Sequence, residues 1–516
     1  MPKPYVIEFD NMSENSTLAS DKALFTEVRN IEPFYRGRFR KRTGYENLST
    51  NATPDTSATA INAVVPMLRQ PSGVLQYNLV AGDDGTLYRS AIYQRGGAWT
   101  SLTTGMTDDY PYIQAWGTDD QAQNNPAVFM ANNGVWMANP AATAIKLGSS
   151  SDGSNPFSTA NVVEYFLERV WVADTTESAG RFRAYLRGSI TDDPNDFYSS
   201  DNILLKIGGG FAAGGGIAPT IKGLRVYRER MYILTEIALY VLNGITKATF
   251  GTSYIREVYD PNGATLFAVE DLLYWVDKKG VWQFDGTRAR NIVMDHKASD
   301  FLALSPANDI ARASATWNLI SGEYIVWFPA VAQLWRYNYR RDTWQLDTPG
   351  GGDAIRCISP PTTSYGNTAN AFCLGAVTNG SVFITNDTVV TDDGSAITAS
   401  FKTGHIRLGE VNGNAGSWFV ITEVDIETAQ QDAAGVVKLT FTIDGTAQTT
   451  ASLTVADTEA SNDDFPTFYD GKYNTNIDLG GITLRGRTCQ VEISDDDADA
   501  RCDIRRITIW YDEERR

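Results

Sequence analysis

The side chains of this sequence that could do acid–base chemistry are almost all carboxylates. It has 62 Asp and Glu residues but only two histidines, His296 and His405. That count excludes a metal site of several histidines and argues against most Ser-His-Asp arrangements, and no Gly-x-Ser-x-Gly elbow is present. Glycoside hydrolysis needs two carboxylates about 5 to 9.5 Å apart, and the sequence assigns no such pair. We therefore predict that the chain is not an enzyme and binds no cofactor.

Two acidic clusters could offer carboxylate oxygens to calcium. Their members are Asp192, Asp193 and Asp196, and then Asp495, Asp496, Asp497 and Asp499. Neither cluster follows a complete calcium-loop pattern, so solvated turns are the favoured interpretation and no metal is predicted. The cysteines lack the close pairing of a metal knuckle and are interpreted as small buried hydrophobic residues. They are Cys357, Cys373, Cys489 and Cys502.

A basic cluster is the main candidate for binding. In RNIEPFYRGRFRKRTGYENL (29–48), arginine recurs at every second position. The members are Arg36, Arg38, Arg40 and Arg42, with Lys41 between the last two. Because side chains of a strand alternate between its faces, several guanidinium groups would project together toward carboxylates or phosphates. We predict that they dock the subunit to a neighbour or an adaptor; the alternative is a solvated strand edge that charge protects from aggregation.

A glycine-rich segment is the second candidate site. IGGGFAAGGGIAP (207–219) places two glycine triplets around Phe211, and no Gly-Lys-Ser/Thr follows, so it is not a phosphate-binding loop. The glycines are Gly208, Gly209, Gly210, Gly214, Gly215 and Gly216. One interpretation is a flexible loop. The other is a loop that lines or gates a channel, where small residues let backbones of several subunits approach one another.

The elements that must position these residues are β-hairpins repeated along the middle of the chain. The clearest copies lie at 225–244, 270–286 and 321–345, each with two runs of β-branched and aromatic residues around a polar turn. Such hairpins bury their apolar faces by stacking on one another, which predicts a β-propeller of about seven blades. From about residue 403 longer strands of period two predict an antiparallel β-sandwich.

The chain is therefore predicted to be all-β, in three parts. Residues 1–60 form an N-terminal arm, residues 61–402 the propeller, and residues 403–516 the sandwich. A net charge of −18 argues against a general nucleic-acid binder. The beginning MPKPYVIEFD lacks the features of a secretory signal, and no stretch has the length to span a bilayer, so neither export nor membrane insertion is expected.

The arm resembles that of tail proteins from short-tailed bacteriophages, which are called packaged-DNA stabilisation, tail hub or nozzle proteins. The likeness lies in Arg29-Asn30, the strand with alternating arginines, and Arg42-Thr43-Gly44-Tyr45. FKTGHIRLGE (401–410) and the closing DIRRITIWYDEERR are also similar to that family. The polar stretch at 11–20 is longer than the family's lead. The residues carried over are Arg29, Asn30, Arg36, Arg38, Arg40, Arg42, Gly44 and Tyr45.

The resemblance implies a structural virion protein that assembles in the host cytoplasm and then resides in the phage tail. It implies a ring, usually of six copies, below the portal and adaptor, with double-stranded DNA passing through without sequence recognition and with tail fibres as further partners. The ring would close the channel over packaged DNA and open for ejection. The alternative function is a carbohydrate-binding or carbohydrate-cleaving propeller. DDGTLY (83–88) and TDDGSAIT (391–398) are similar to fragments of sialidase Asp-box turns, but they lack the expected aromatic residue and are interpreted as hairpin turns.

Overall fold

The structure is a computed structural model. It describes residues 2–8, 25–31, 39–47, 60–69, 74–91, 99–106, 112–120, 125–131, 134–138, 145–147, 157–191, 193–208, 219–295, 297–318, 322–350, 355–359, 373–376, 380–386, 389–408, 418–428, 435–448, 451–455, 473–477, 484–496 and 503–514. Strands make up most of these residues. The helical elements among them are α1 (Ala298–Ala303) and a single turn of 3-10 helix (Ile310–Arg312).

Four short strands precede the repeats in the part of residues 1–60 that the structure describes. They are β1 (Lys3–Glu8), β2 (Phe25–Arg29), β3 (Phe39–Arg40) and β4 (Gly44–Asn47).

Among the described residues, five antiparallel four-stranded sheets follow in chain order as blades 1 to 5, and blade 6 is an antiparallel run of four strands within a ten-stranded sheet. Blade 1 consists of β5 (Ile61–Arg69), β6 (Val74–Gly82), β7 (Thr86–Ala91) and β8 (Thr100–Thr104). Blade 2 consists of β9 (Tyr112–Asp120), β10 (Asn125–Ala131), β11 (Val135–Ala138) and β12 (Ile145–Leu147). Blade 3 consists of β13 (Thr159–Phe166), β14 (Arg169–Glu177), β15 (Gly180–Gly188) and β16 (Ile203–Lys206). Blade 4 consists of β17 (Ile221–Tyr227), β18 (Arg230–Thr235), β19 (Ala238–Asn243) and β20 (Gly251–Glu257). Blade 5 consists of β21 (Asn262–Val269), β22 (Leu272–Asp277), β23 (Gly280–Phe284) and β24 (Ala289–Asn291). Blade 6 consists of β25 (Ser314–Asn318), β26 (Glu323–Phe328), β27 (Gln333–Asn338) and β28 (Thr343–Asp347).

Blade 7 is completed from the other end of the chain. Its own strands are β29 (Ile355–Ile358), β30 (Cys373–Ala376) and β31 (Val382–Asn386), and β4 pairs antiparallel with β31 as the fourth strand. The small strands β32 (Thr391–Asp392) and β33 (Ser395–Ala396) extend this sheet. The first strands of blades 2 to 7 touch one another in order, β29 touches β5, and β5 touches β10, which closes the ring.

The second domain is a sandwich of two sheets. Its strands are β34 (Ala399–Thr403), β35 (Trp418–Thr428), β36 (Gly435–Ile443), β37 (Thr446–Ala447), β38 (Ala451–Val455), β39 (Tyr473–Ile477), β40 (Leu484–Gly486), β41 (Cys489–Asp495) and β42 (Asp503–Glu514). One sheet has the order β1-β42-β35-β39, with β3 on β42 and β40 on β35. The other has the order β2-β34-β41-β36-β37, with β38 on β36, and it continues through the pairing of β2 with β28 into blade 6.

Alternation along the long strands produces the sandwich core. In β42 the side chains of Ile507, Ile509 and Tyr511 are fully buried, and they pack in one cluster with Phe401 and Val491 of the facing sheet. Residues two apart on a strand share a face, so this apolar set fills one side of the sheet. The predicted all-β fold, a propeller of about seven blades and an antiparallel sandwich, is confirmed: the described residues form seven blades.

The N-terminal residues do not form the separate arm that the sequence suggested. β1 pairs with β42 and β2 with β34, both in the sandwich, whereas β4 belongs to blade 7. The predicted boundary at 402/403 falls inside β34, which pairs with β41 of the sandwich. β34 therefore belongs to the sandwich, and β4 provides the fourth strand of blade 7.

The predicted turns include one that only glycine fits. Gly85 lies between β6 and β7 with φ +75, and a Cβ there would come 2.5 Å from the carbonyl oxygen of Met106. Asp84 supports the same turn by accepting a hydrogen bond from the Thr86 amide at 3.0 Å. Turn residues of this kind end one strand and begin the next, and they therefore set the length of each blade.

Candidate functional site

The residues carried by the family resemblance meet where the propeller joins the sandwich. We call this place the seam, defined by Asn30, Lys41, Arg42, Gly44 and Tyr45 and the groups they contact. The seam exists because β2 pairs with β34 of the sandwich and, at Arg29, with Leu346 of blade 6, while β4 runs along blade 7. One segment of chain thus touches three parts of the fold.

Arg42 is the buried centre of the seam. Its Nη1 and Nη2 atoms donate to Oδ1 and Oδ2 of Asp392 at 2.8 and 2.5 Å, a bidentate ion pair. Its Nε donates to Oδ1 of Asn30 at 3.1 Å, and Nη1 also donates to the Thr43 carbonyl at 2.9 Å. Burial alone would lower the pKa of Arg42, but Asp392 by charge and hydrogen bond raises it above the ordinary value. The guanidinium therefore stays charged.

Asp347 links the seam to the interior of blade 6. Its carboxylate lies 4.0 Å from Arg42 and accepts a hydrogen bond from Arg336 at 3.0 Å. Arg336 also donates to Glu323 at 2.8 Å. Burial lowers the pKa of Arg336, and the charges of Glu323 and Asp347 raise it by more. A continuous row of alternating charges therefore runs from the middle of blade 6 to Asp392.

Asn30 holds the corner between blade 6 and the sandwich. Its φ is +54, a left-handed conformation that Asn tolerates better than most residues. Its amide nitrogen donates to Thr348 Oγ1 at 3.1 Å and to the Thr398 carbonyl at 2.7 Å, and its Oδ1 accepts from the Thr348 backbone at 2.8 Å. The side chain therefore satisfies backbone groups from both sides of the joint.

Gly44 and Tyr45 fit β4 into blade 7. A Cβ on Gly44 would lie 1.9 Å from the carbonyl oxygen of Thr391, so no larger residue fits there. The Tyr45 ring packs on Phe383 with ring centroids 5.1 Å apart, and its hydroxyl donates to the Gly350 carbonyl. These contacts make the blade closure specific for this segment.

Lys41 points to the other side of the strand from Arg42 and reaches the sandwich. Its Nζ lies 3.1 Å from Oδ1 of Asp495, and both side chains are 0 % exposed. A buried ion pair of this kind is costly to break because either partner alone leaves an uncompensated charge. The seam therefore fastens the N-terminal segment to both domains by ion pairs.

The docking hypothesis for the arm must be corrected for four of its residues. Asn30, Arg42, Gly44 and Tyr45 are all buried against other parts of this same chain, and Gly44 makes a tight backbone contact with Thr391. The reason is that β2 and β4 complete sheets of their own chain instead of extending away from it. Arg29 is exposed, and Arg40 lies in β3, opposite Asp503. Arg36 and Arg38 lie outside the described residues.

Sequence reasoning missed Asp347, and it missed the ion pairs that Lys41 and Arg42 form with Asp495 and Asp392. One signal was present, because the adjacent cations Lys41 and Arg42 must point to opposite faces of a strand and so cannot form a single charged face. The predicted hairpin turn at Asp392 is confirmed, since β32 pairs with β33, but the sequence did not indicate that its carboxylate pairs with Arg42. The prediction of a solvated turn is wrong for Asp495, which is fully buried.

Three other members of the two acidic clusters are described, and each has a local structural role. Asp193 accepts a hydrogen bond from the Asn195 amide at 2.9 Å, and Asp196 accepts one from the Tyr198 amide at 2.8 Å. Asp496 pairs with Lys438 at 2.5 Å. Asp192, Asp497 and Asp499 lie outside the described residues, as do Cys502 and His296. No cluster that could hold a metal ion occurs in the part of the chain that the structure describes.

Two of the cysteines are buried and inert. Cys357 lies in blade 7 and Cys489 in the sandwich, both as free thiols. Burial raises the pKa of each to about 12, so neither is a thiolate near neutral pH.

The glycine-rich segment joins blade 3 to blade 4. Gly208 follows β16 with φ +75, and a Cβ there would lie 3.2 Å from the Tyr240 hydroxyl. The remaining predicted positions lie outside the described residues. They are Gly209, Gly210, Phe211, Gly214, Gly215 and Gly216. The gate hypothesis for this loop stays a prediction.

A cavity of about 360 Å³ lies on the propeller axis. Its lining includes residues of β5, β13, β17, β21, β25 and β29, the first strands of six blades. Asp260 lies at this cavity between Lys278 and Lys222, at 2.7 and 3.5 Å. Burial raises the pKa of Asp260, but hydrogen bonds and charge from the two lysines lower it below the ordinary value. Asp260 is therefore an ionised acceptor.

One buried carboxyl group lies between blades 3 and 4. Glu164 of β13 accepts a hydrogen bond from the Tyr165 amide at 3.0 Å, and its Oε2 has no partner among the described residues. Burial raises the pKa of Glu164 to about 7, against a smaller lowering by Arg225. Arg225 itself donates to the Leu266 carbonyl of blade 5 at 2.9 Å. Glu164 is thus a titratable group inside a blade interface.

Comparison with known proteins adds only fold likeness. No protein-family model matches the chain, and no curated protein matches it. The WD40 propeller domain of Doa1 aligns with 67% of this chain and 97% of that domain, at 10% identity and a TM-score of 0.41. The Cps50 (Swd1) propeller domain of Myceliophteria thermophila aligns with 65% of this chain and 98% of that domain, at 11% identity and a TM-score of 0.40. The Neurospora crassa Pan2 WD40 domain aligns with 66% of this chain and 94% of that domain, at 11% identity and a TM-score of 0.38.

The fold defines the class of protein as a β-propeller joined to an antiparallel β-sandwich. The similarity to these structures is a similarity of fold alone. Among the described residues, no helix has the length and apolar character needed to cross a bilayer.

Proposed function

We propose that this chain is a structural subunit of a short phage tail, forming a nozzle or hub ring below the portal and adaptor. The observation that carries the proposal is the seam. Lys41 and Arg42, adjacent in sequence, form buried ion pairs with Asp495 of the sandwich and Asp392 next to blade 7. A subunit that must bear the force of packaged DNA needs its two domains tied together in this way.

The proposed role is mechanical and not enzymatic. The carboxylates of the seam are held by Lys41, Arg42 and Arg336, and Asp260 in the cavity is held by two lysines. A general base or nucleophile must be free to take a proton from a substrate or to attack it, whereas each of these carboxylates is paired with a lysine or an arginine. A paired carboxylate can still accept further hydrogen bonds. The subunit would thus contribute stiffness and interfaces, with no cofactor.

The assembly we propose is a homo-oligomeric ring, with six copies as the expected number, in the virion after assembly in the host cytoplasm. Its partners would be neighbouring copies, the adaptor and portal, and tail fibres. The net charge of −18 per chain would let double-stranded DNA slide past without sequence recognition and with few ionic contacts. Exposed Arg29, with Arg36, Arg38 and Arg40, stays our candidate set for contacts between subunits.

The test is antibody labelling of intact virions of the phage that encodes this chain. An antibody raised against the sandwich should label the distal end of the short tail in negative-stain electron micrographs. Pre-immune serum and isolated capsids serve as matched controls and should stay unlabelled. Label on side fibres, or particles with no label, would contradict the proposal.

A second measurement examines the ring directly. The purified full chain should form closed rings in negative stain, alone or after addition of the adaptor. A chain that stays monomeric in both conditions would contradict the ring and shift the weight to a carbohydrate-binding propeller.

A further inference from the structure

The axial cavity has a charge opposite to that of the whole chain. Three cations, Lys222, Lys278 and Arg312, line it, against the carboxylate of Asp260 and that of Glu236 beside Lys222 at 3.6 Å. These five groups leave one positive charge in a chain of net charge −18. A local reversal of sign at a concave site attracts small anions to that place.

Arg312 differs from the two lysines. Lys222 and Lys278 are both engaged by Asp260. Arg312 ends the 3-10 helix before blade 6 and is exposed at the cavity, and no described carboxylate forms an ion pair with it. A guanidinium offers a planar pair of donors that fits a carboxylate. Arg312 is therefore the available anchor for an anionic group.

The remaining lining suits a molecule with hydroxyl groups. The Ser314 hydroxyl is buried at the cavity without a hydrogen-bond partner among the described residues. Asn161, whose amide nitrogen also donates to Asp174 at 2.7 Å, and ionised Asp260 offer polar groups from other blades. Val64 and Phe267 supply apolar surface for the C–H face of a ring. A few polar groups over an apolar floor are typical of small-molecule sites, and about 360 Å³ is within their size range.

We propose that the axial cavity binds a sugar acid, a small carbohydrate that carries a carboxylate. The carboxylate would pair with Arg312, and the hydroxyl groups would bond with Ser314, Asn161 and Asp260. The inference does not depend on the proposed tail function, because a mechanical subunit and a subunit of any other assembly could each carry this site.

The test uses the full chain with sodium glucuronate and sodium N-acetylneuraminate as probes, and D-glucose as the neutral comparison, in saturation-transfer NMR. At least one acid should give a saturable signal, at an affinity about tenfold or more above that for glucose. Arg312→Gln should weaken that binding about tenfold or more, and Ser314→Ala should weaken it less.

Arg340→Gln is the matched control, because Arg340 is also an exposed arginine of blade 6 but pairs with Glu270 away from the cavity. This variant should bind like the wild type, and circular dichroism should show that all variants keep the same strand content. The proposal would be overturned if neither acid gave a saturation-transfer signal up to about 10 mM. It would also be overturned if glucose bound equally well, or if Arg312→Gln bound the acid as tightly as the wild type. None of these outcomes bears on labelling of the tail.

Discussion

The interface between blades 5 and 6 and the seam are both buried, but different kinds of contact hold them. Between the blades, Tyr274 stacks on Tyr324 with ring centroids 4.7 Å apart, and Trp344 donates to the Ile292 carbonyl at 3.0 Å. At the seam, Arg42 and Asp392 are joined by charge, and so are Lys41 and Asp495. The buried part of the first interface is held by aromatic packing, and its ion pairs, Arg290–Asp342 and Arg340–Glu270, are exposed. At the seam the ion pairs themselves are buried.

The two regions also differ in how far apart their partners lie along the chain. Tyr324 donates to the carbonyl of Thr265, 59 residues away. Arg42 and Asp392 are 350 residues apart, and Lys41 and Asp495 are 454 apart. Contacts between adjacent repeats form with modest loop closure, whereas the seam must join the beginning of the chain to its end.

This difference suggests a division of labour. Apolar packing is non-directional, so it accepts any neighbouring blade of suitable shape. Buried ion pairs add little net stability but penalise every wrong partner, because a mispaired charge stays buried and uncompensated. We infer that the seam chooses which strand closes blade 7, while the blades supply most of the stability.

The largest effect is expected from breaking the seam at its centre. Arg42→Met would leave Asp392 without its ion-pair partner and cost about 5 kcal/mol in unfolding free energy, whereas Asp347 would keep its pair with Arg336. Arg340→Ala removes an exposed ion pair with Glu270 and should cost at most about 0.5 kcal/mol. Urea denaturation of both variants measures the difference. Similar small losses in the two variants would show that the seam is not stabilised by charge.

The second prediction separates specificity from stability at Lys41. Lys41→Met alone should cost about 3 kcal/mol because Asp495 would stay buried and charged. Adding Asp495→Leu should return the unfolding free energy to within about 1 kcal/mol of the wild type, since an apolar pair replaces the buried ions. The double-mutant cycle is measured by urea denaturation.

The exposed neighbouring pair provides the control for that cycle. Lys438 and Asp496 lie 2.5 Å apart at the surface of the same sheet. Lys438→Met with Asp496→Leu should show a coupling below about 1 kcal/mol. Equal coupling in the two pairs would contradict the distinction between buried and exposed ions.

The blades could be predicted from the sequence because their signals are local. Alternating apolar residues and turns such as Asp84-Gly85 specify each hairpin within about 20 residues, and the seven blades follow. The seam could not be predicted, because pairing of β4 with blade 7 depends on a complementary surface more than 300 residues away. In the sequence, Asp392 has the neighbours of a turn residue and Asp495 those of a solvated one.

The axial cavity could not be predicted from the sequence for a related reason. Arg312 and Ser314 lie between recognisable hairpins, and nothing near them in sequence marks a site. Closure of the ring is what brings them opposite Asn161 and Asp260. A site made by several repeats, with one or two residues from each, leaves no local motif.

The third prediction concerns Glu164, a charge inside a blade interface. Its pKa is about 7 in the folded chain against an ordinary 4.5, so the stability it provides is complete below about pH 4.5 and is lost as the pH rises through 7. Glu164→Gln should therefore raise the unfolding free energy at pH 8 by about 2 to 3 kcal/mol and change it little at pH 5.

The measurement is the urea midpoint of wild type and variant across that pH range. Glu257→Gln, on the exposed strand β20, is the control and should give parallel curves. A Glu164→Gln gain that is the same at pH 5 and pH 8 would mean that its carboxyl does not titrate between the blades.

The smallest effect tests whether blade packing depends on its polar contacts. Tyr324→Phe keeps the stack on Tyr274 and removes the hydrogen bond to the Thr265 carbonyl, which is 2.6 Å long and buried. The expected cost is about 1 kcal/mol, because one neutral hydrogen bond is lost while the aromatic area stays. Thermal and urea unfolding should both report it. A loss as large as that of Arg42→Met would mean that directional contacts also hold the blades, and the contrast with the seam would then fail.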